Sequence, residues 1–205
     1  MTEGASIPGE KRGEPFSHTP GFTLIEVIIV IGIIAVIATF SYPNFKKWLP
    51  NYRLKAAARE LYSKMQLVRM KAVKENKSRA IVFDVNNNRY YLCSKPGTGG
   101  LWSALKPGDD GIIQTIDLTA YKSGVSYGHG NATTNATKNG GSFPPDNVSF
   151  TNGSSDPNVA VFTSKGFCVG GGYCYLSNTV GTAYAIGAQT SGAIVLKKWN
   201  GKKWE

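Results

Sequence analysis

Histidine and cysteine are scarce in these 205 residues: only His18 and His129, and Cys93, Cys168 and Cys174. No Cys-x-x-Cys pair occurs, so the spacings of structural zinc sites and thioredoxin-like redox centres are missing. Nucleophilic catalysis fares no better. It needs a base beside the nucleophile and a group to orient that base, and His129 sits in "YGHGN" with no evident carboxylate partner. No P-loop occurs, and no G-x-G-x-x-G precedes a helix, so nucleotides lack their usual cradle. These absences exclude an enzyme, a resident metal and a cofactor, and leave an interaction protein.

Acidic residues are also few: 13 against 23 Lys and Arg, a formal charge of +10. Residues 1–21 hold two of the basic and three of the acidic side chains, so the remainder carries +11. Such a balance favours anionic partners (nucleic acid, lipid head groups, acidic proteins) without choosing among them. The odd cysteine count leaves one thiol unpaired. Cys168 and Cys174 flank "VGGGY", which can turn back tightly, so a disulfide between them is expected in an oxidising compartment. Three small buried thiols are the alternative.

What the chain does have is one long apolar run. Phe22–Tyr42 covers about 21 residues, ~31 Å at helical rise, enough to span a bilayer core. A cleaved signal peptide ending near Ala35–Ala38 is the competing reading, but it leaves Glu26 unexplained. A carboxylate in hydrocarbon costs roughly 2.5–3.5 kcal/mol at a helix centre, so Glu26 requires a partner. Residues 1–20 show no hydrophobic periodicity and read as a disordered leader.

From Leu54 the apolar positions Leu54, Ala57, Ala58, Leu61, Met65, Val68 and Ala72 recur at three- and four-residue steps, predicting an amphipathic helix to about Asn76. Pro43 and Pro50 should interrupt the long helix Phe22–Asn76. After Asn76 the period becomes two. "RAIVFDV" and "RYYLCS" flank "NNN" as a hairpin. Further strands are expected at Ile112–Leu118, Val148–Phe150, Val159–Thr163, Cys174–Ser177, Tyr184–Ala188 and Ala193–Trp199. Gly128–Pro145 is polar and glycine-rich, too poor in apolar residues to pack, and is expected to be mobile or ordered by a partner. The predicted class is α+β: a long N-terminal helix, half in membrane and half amphipathic, packed on an antiparallel sheet or sandwich head. The boundaries are 1–21 leader, 22–43 membrane helix and assembly segment, 44–76 amphipathic helix, and 77–205 head domain including the polar loop 128–145.

Gly21 followed by "FTLIEV", an apolar span and Pro43 resembles the leader and N-terminal helix of type IV pilins and type II secretion pseudopilins. "YRLKAAARELYSKMQLVRMKAVKENKSRAIVFD" through "SGAIVLKKWNGKKWE" is similar to the GspH/FimT group of minor pseudopilins. The resemblance implies cleavage after Gly21 by a prepilin peptidase and N-methyltransferase, with Phe22 the methylated first residue. It gives Glu26 a partner: the α-amino group of Phe22 in an adjacent subunit. Both charges would be nearly desolvated, so a subunit out of register leaves two unpaired ions, at a cost of several kcal/mol. Glu26 and Pro43 would act in assembly with other pilins or pseudopilins, alongside inner-membrane secretion or pilus machinery. The implied location is the inner membrane, single-pass, with a periplasmic C-terminal domain that enters a periplasmic or surface filament.

Two features depart from the pattern. The segment before the glycine reads "SHTPG", with its basic pair back at Lys11 and Arg12. Lys46, Lys47, Arg53, Lys55 and Arg59 follow the span, against the positive-inside rule, although a large folded domain translocates largely regardless of local charge. The alternative function is a FimT-type minor pilin that binds DNA for uptake. Such members carry Gly-Arg-x-Arg near the C-terminus, and the arginines are absent after Gly192. Lys197, Lys198, Lys202 and Lys203 interleaved with Trp199 and Trp204 are the candidate DNA contacts.

Overall fold

The computed structural model describes residues 21–205, with backbone alone for 40–44 and 47. The expected leader, with Lys11, Arg12 and His18, otherwise lies outside the described residues. The chain divides into two units at Tyr42–Pro43.

Helix α1 runs Leu24–Lys74. In the first unit, every described side chain from Phe22 to Thr39 is exposed. A helix apolar all round has no face of its own to bury and must find lipid or other helices. Helical assignment runs through both Pro43 and Pro50, each of which deletes one donor from the ladder.

In the second unit the predicted stripe is buried in full: Leu54, Ala57, Ala58, Leu61, Met65, Val68 and Ala72 are all at most 2 % exposed. The helix ends in a Schellman turn. Asn76 adopts φ 49°, Lys77 N–H donates to the Ala72 carbonyl and Asn76 N–H to that of Val73, which satisfies carbonyls that helix termini otherwise leave open.

Two four-stranded antiparallel sheets follow. The first contains β1 (Arg79–Asp84), β2 (Arg89–Cys93), β3 (Ile112–Asp117) and β5 (Val159–Phe162) in the order β3-β2-β1-β5. The second contains β4 (Ser126–Tyr127), β6 (Gly172–Ser177), β7 (Ala183–Ala188) and β8 (Ile194–Lys198) in the order β4-β6-β7-β8. Alternation along each strand divides the core. Ile81, Phe83, Ala160, Phe162, Cys174, Leu176, Ile186 and Ala188 join the helix stripe in one cluster. Ala80, Val82, Tyr91, Cys93, Val159 and Val161 face the other way, onto Trp102 and Leu105.

The outer face of the second sheet is likewise covered, and here the polar-loop expectation is corrected. Residues 128–145 pack on their own chain: Ala132 and Ala136 are buried, and Phe143 packs against clusters containing Tyr175, Ala183, Ala185 and Trp199. His129 stacks on Phe143 with ring centroids 4.0 Å apart, and Ala136 N–H donates to the Tyr175 hydroxyl at 2.9 Å. The few apolar residues suffice because Tyr175, Trp199 and Trp204 supply the opposing surface.

Val148–Phe150 also differs from expectation. Only Val148 forms a bridge, to Cys174, because Asn147 (φ 60°) and the turn at Asn152–Asp156 leave no room for a longer ladder. Phe150 still reaches the core, stacked on Phe83 at 5.5 Å.

Candidate functional site

The first unit's candidate site begins at Gly21. A Cβ added there would meet nothing within 4 Å, so the fold places no demand for glycine at this position. Phe22 is 83 % exposed. Thr23 is the N-cap of α1: Glu26 N–H donates to Thr23 Oγ1 at 3.2 Å, and Val27 N–H to the Thr23 carbonyl. "TLIE" has the spacing of a capping box, threonine at N-cap and glutamate at N3. Sequence reasoning overlooked Thr23, although Thr-x-x-Glu before an apolar run was the available signal. A carboxylate in the first turn also suits the positive end of the helix dipole, and the Glu26 side chain is exposed there. Pro43 lies within α1, and nothing further is described of its ring.

Among the described residues, no helix is long and apolar enough to cross a membrane. The run predicted from the sequence extends to Tyr42, and its last side chains, 40–42, lie outside those described.

The structure brings part of the candidate DNA site together: Lys197, Lys202, Lys203 and Trp204 line one surface cavity, which Lys198 and Trp199 do not join. β8 alternation turns Lys197 and Lys198 to opposite faces. Lys197 Nζ donates to the Ala136 carbonyl at 3.0 Å and lies 5.6 Å from the Tyr173 ring. Lys198 lines a cavity with Trp48, Tyr52 and Tyr184. Trp199 is 7 % exposed, against Trp204 at 5.4 Å. Lys202 and Lys203 sit on the closing turn, held by Asn200 Oδ1 accepting from both backbone N–H groups, and Lys203 pairs with Glu205 at 3.5 Å. Thus Trp199 is packing surface, not a free stacking platform.

The disulfide expectation is corrected as well. Cys93, Cys168 and Cys174 are all free and buried. The glycine-rich segment does not turn back as a hairpin. It carries the chain from Cys168, bridged to Phe162 at the edge of the first sheet, into Cys174 on β6 of the second. Burial pushes the thiols up, Cys93 to about 12, Cys168 to about 11, and Cys174 well above its ordinary value.

Comparison with known families adds two matches. Residues 18–42 match the prokaryotic N-terminal methylation motif. Residues 57–192 match the family described as type II transport protein GspH, and this covers most of the chain. The chain belongs to the GspH family. No curated protein matches it. Among solved structures, the minor pseudopilin EpsH of the Vibrio cholerae type 2 secretion system aligns at 14 % identity and a TM-score of 0.46, over 70 % of this chain and 95 % of that one. The type IV minor pilin FimU of Pseudomonas aeruginosa aligns at 14 % identity and a TM-score of 0.46, over 77 % and 96 %. Membership of the GspH family supports a role as a pseudopilus or pilus subunit, assembling with other pilins. Proteins of this type are typically structural subunits rather than enzymes.

Proposed function

We propose that this GspH-family chain is a non-catalytic minor pseudopilin, anchored in the inner membrane by Phe22–Tyr42 with its head in the periplasm, that enters a filament supporting protein secretion. The observation that carries this reading is the first turn of α1. Glu26 stands in the first turn, its backbone N–H capped by Thr23, at the head of an apolar stretch whose described side chains, Phe22 to Thr39, are all exposed. One carboxylate on a surface that water cannot solvate cheaply is a register device: it tolerates neighbours only where a cation meets it. The amino group released at Phe22 by cleavage after Gly21 is that cation. Gly21 fits the same account, because nothing in the fold needs it, and its requirement then belongs to the prepilin peptidase.

Sheltering of Trp199 and the internal contact of Lys197 weigh against the alternative of DNA uptake. Salt-sensitive gel shifts of duplex DNA by the protein would restore that alternative.

The test of assembly is Glu26→Gln and Glu26→Ala expressed in cells. Both are expected to be cleaved and inserted normally yet to drop out of the filament fraction at least tenfold. Normal incorporation of either variant overturns the pairing. N-terminal mass analysis of native protein should find N-methylated Phe22, and a functional form retaining residues 1–21 refutes the whole reading.

A further inference from the structure

β8 is an outer strand of its sheet, paired along its length with β7 alone. In an antiparallel ladder the N–H and C=O groups of alternate residues point away from the partner strand. Lys198 shows which residues these are, because its N–H donates outward to the Glu205 carbonyl and its own carbonyl accepts from Glu205 N–H. Leu196 and Ile194 alternate in step with Lys198 and therefore also face outward. Neither has a backbone partner on that side among the described residues. Natural sheets blunt such edges with charge, proline or a bulge. Residues 193–196, "AIVL", carry none of these.

The open edge borders a groove of about 770 Å³ between α1 and β8. Ile194 lines it from the strand, and Met70 and Val73 line it from the helix, 62 % and 51 % exposed. Arg69, Lys74 and Lys165 share the lining, which contains no carboxylate among the described residues. Arg69 is held in place by its Nε–H, which donates to the Gly166 carbonyl at 2.9 Å. Lys74 and Lys165 have no acidic partner within ion-pair distance among the described residues. The whole groove lies within the second unit.

We propose that this groove docks an extended acidic segment of another protein. The segment adds a strand beside Ile194 and Leu196, lays apolar side chains on Met70 and Val73, and sets carboxylates against Arg69, Lys74 and Lys165. The inference concerns the head alone and goes beyond the assembly reading, so Glu26 plays no part in it.

Three features select this occupant. Outward N–H and C=O groups on alternate residues are matched by an extended backbone, whose main-chain bonds supply affinity while pockets for alternate side chains supply specificity. Side chains on one face of an added strand recur at every second residue. The face it shares with Ile194 and Leu196, which pack against the helix cluster, is the one that opens on Met70 and Val73. Carboxylates on that face meet three cations that the chain leaves without an acidic partner, and such complementarity steers and registers a partner. A second copy of this chain is disfavoured, because pairing β8 with its own copy about a two-fold axis would bring the same cations together.

The probe is the synthetic peptide Glu-Thr-Val-Thr-Val-Thr-Glu, whose alternation sets two valines between two glutamates on one face. It is added to the full chain in detergent micelles, and amide hydrogen exchange is followed residue by residue by NMR. Saturating peptide should slow exchange at Ile194 and Leu196 about tenfold, with little change at Val195, whose N–H faces β7. Replacing both glutamates by lysine should weaken binding about tenfold, and Lys74→Glu with Lys165→Glu in the chain should reverse that preference. Both lysines are exposed, so this variant should fold. Of two N-methylated peptides, one blocked along each edge of the peptide strand, one should bind and the other fail. Identical behaviour of the two overturns strand addition. Absence of binding, or protection at β3 or β4 instead, overturns the site. Protection of Ile194 and Leu196 that rises with protein concentration in the absence of peptide assigns the edge to a second copy and overturns the acidic partner. None of these outcomes alters the incorporation of the Glu26 variants, so the two readings fail separately.

Discussion

Asp156 is 1 % exposed, and both its oxygens accept hydrogen bonds inside the chain: Ser103 N–H at 2.7 Å, Trp102 N–H at 3.2 Å and Asn152 Nδ2 at 3.1 Å. Burial alone would push this carboxyl up, but the bonds from Ser103, Asn152 and Trp102 outweigh it and hold it below the usual carboxylate range. A folded value below the unfolded ~3.9 gives stability that is present above about pH 4 and lost as pH falls through the folded value. Asp84, bonded to Tyr91, Arg89 and Asn87, shifts the same way. Urea midpoints should therefore fall from pH 5 to pH 3, and Asp156→Ala, which strands the buried Trp102 N–H and the part-buried Ser103 N–H, should cost about 2–3 kcal/mol at neutral pH. Gly192 makes a different demand. Its φ is 84°, and an added Cβ would lie 1.9 Å from the Gly166 carbonyl oxygen, so Gly192→Ala should cost more than about 2 kcal/mol in the same assay. "TSG", residues 190–192, is a local turn signal, but nothing local signals the close approach of Gly166. Asp156 was not legible, because the two backbone N–H groups it accepts from lie 53 and 54 residues away.

The elements with strong periods were the legible ones. All seven apolar positions of the amphipathic segment face the core because a 3.6-residue period fixes a helix face without reference to anything distant. Met65 is completely buried among them. Met65→Ala should cost about 2–5 kcal/mol, the range for opening a cavity in a packed core, measurable as a shift in the urea midpoint. The hairpin β1–β2 was legible for the same local reason, with Asp84 opposite Arg89 across the turn. β4 was not, since two residues carry no period. Val148–Phe150 looked like a strand because its apolar residues do enter the core, but they enter from a single bridge between two turns. The covering role of residues 128–145 could not be read from that segment, because its packing partners are the aromatics Tyr175, Trp199 and Trp204 contributed by other elements. At the candidate site, Gly21, Phe22 and Glu26 stood out in the sequence, whereas the Thr23 cap was missed, and of the C-terminal lysines strand alternation sets Lys198 apart from Lys197, Lys202 and Lys203.

Across the whole molecule the α+β class followed from the order of the two periods, whereas the assignment of each strand to a sheet did not. β4 and β5 are neighbours in sequence yet belong to different sheets, a choice made by contacts between distant segments. The result is a head with apolar layers on more than one face of its sheets, and its cysteines fall in different layers. Cys168 and Cys174 lie in the layer shared with the helix, and Cys93 lies under Trp102. Shut away from solvent and held protonated, none can react with a thiol reagent until its own layer parts. The three sulfurs therefore serve as clocks for two layers, and their labelling rates, followed by peptide mass analysis in dilute urea, time the opening of each. Cys168 and Cys174 should keep one common pace while Cys93 keeps another. A single rate for all three would mean that the head opens only as a whole.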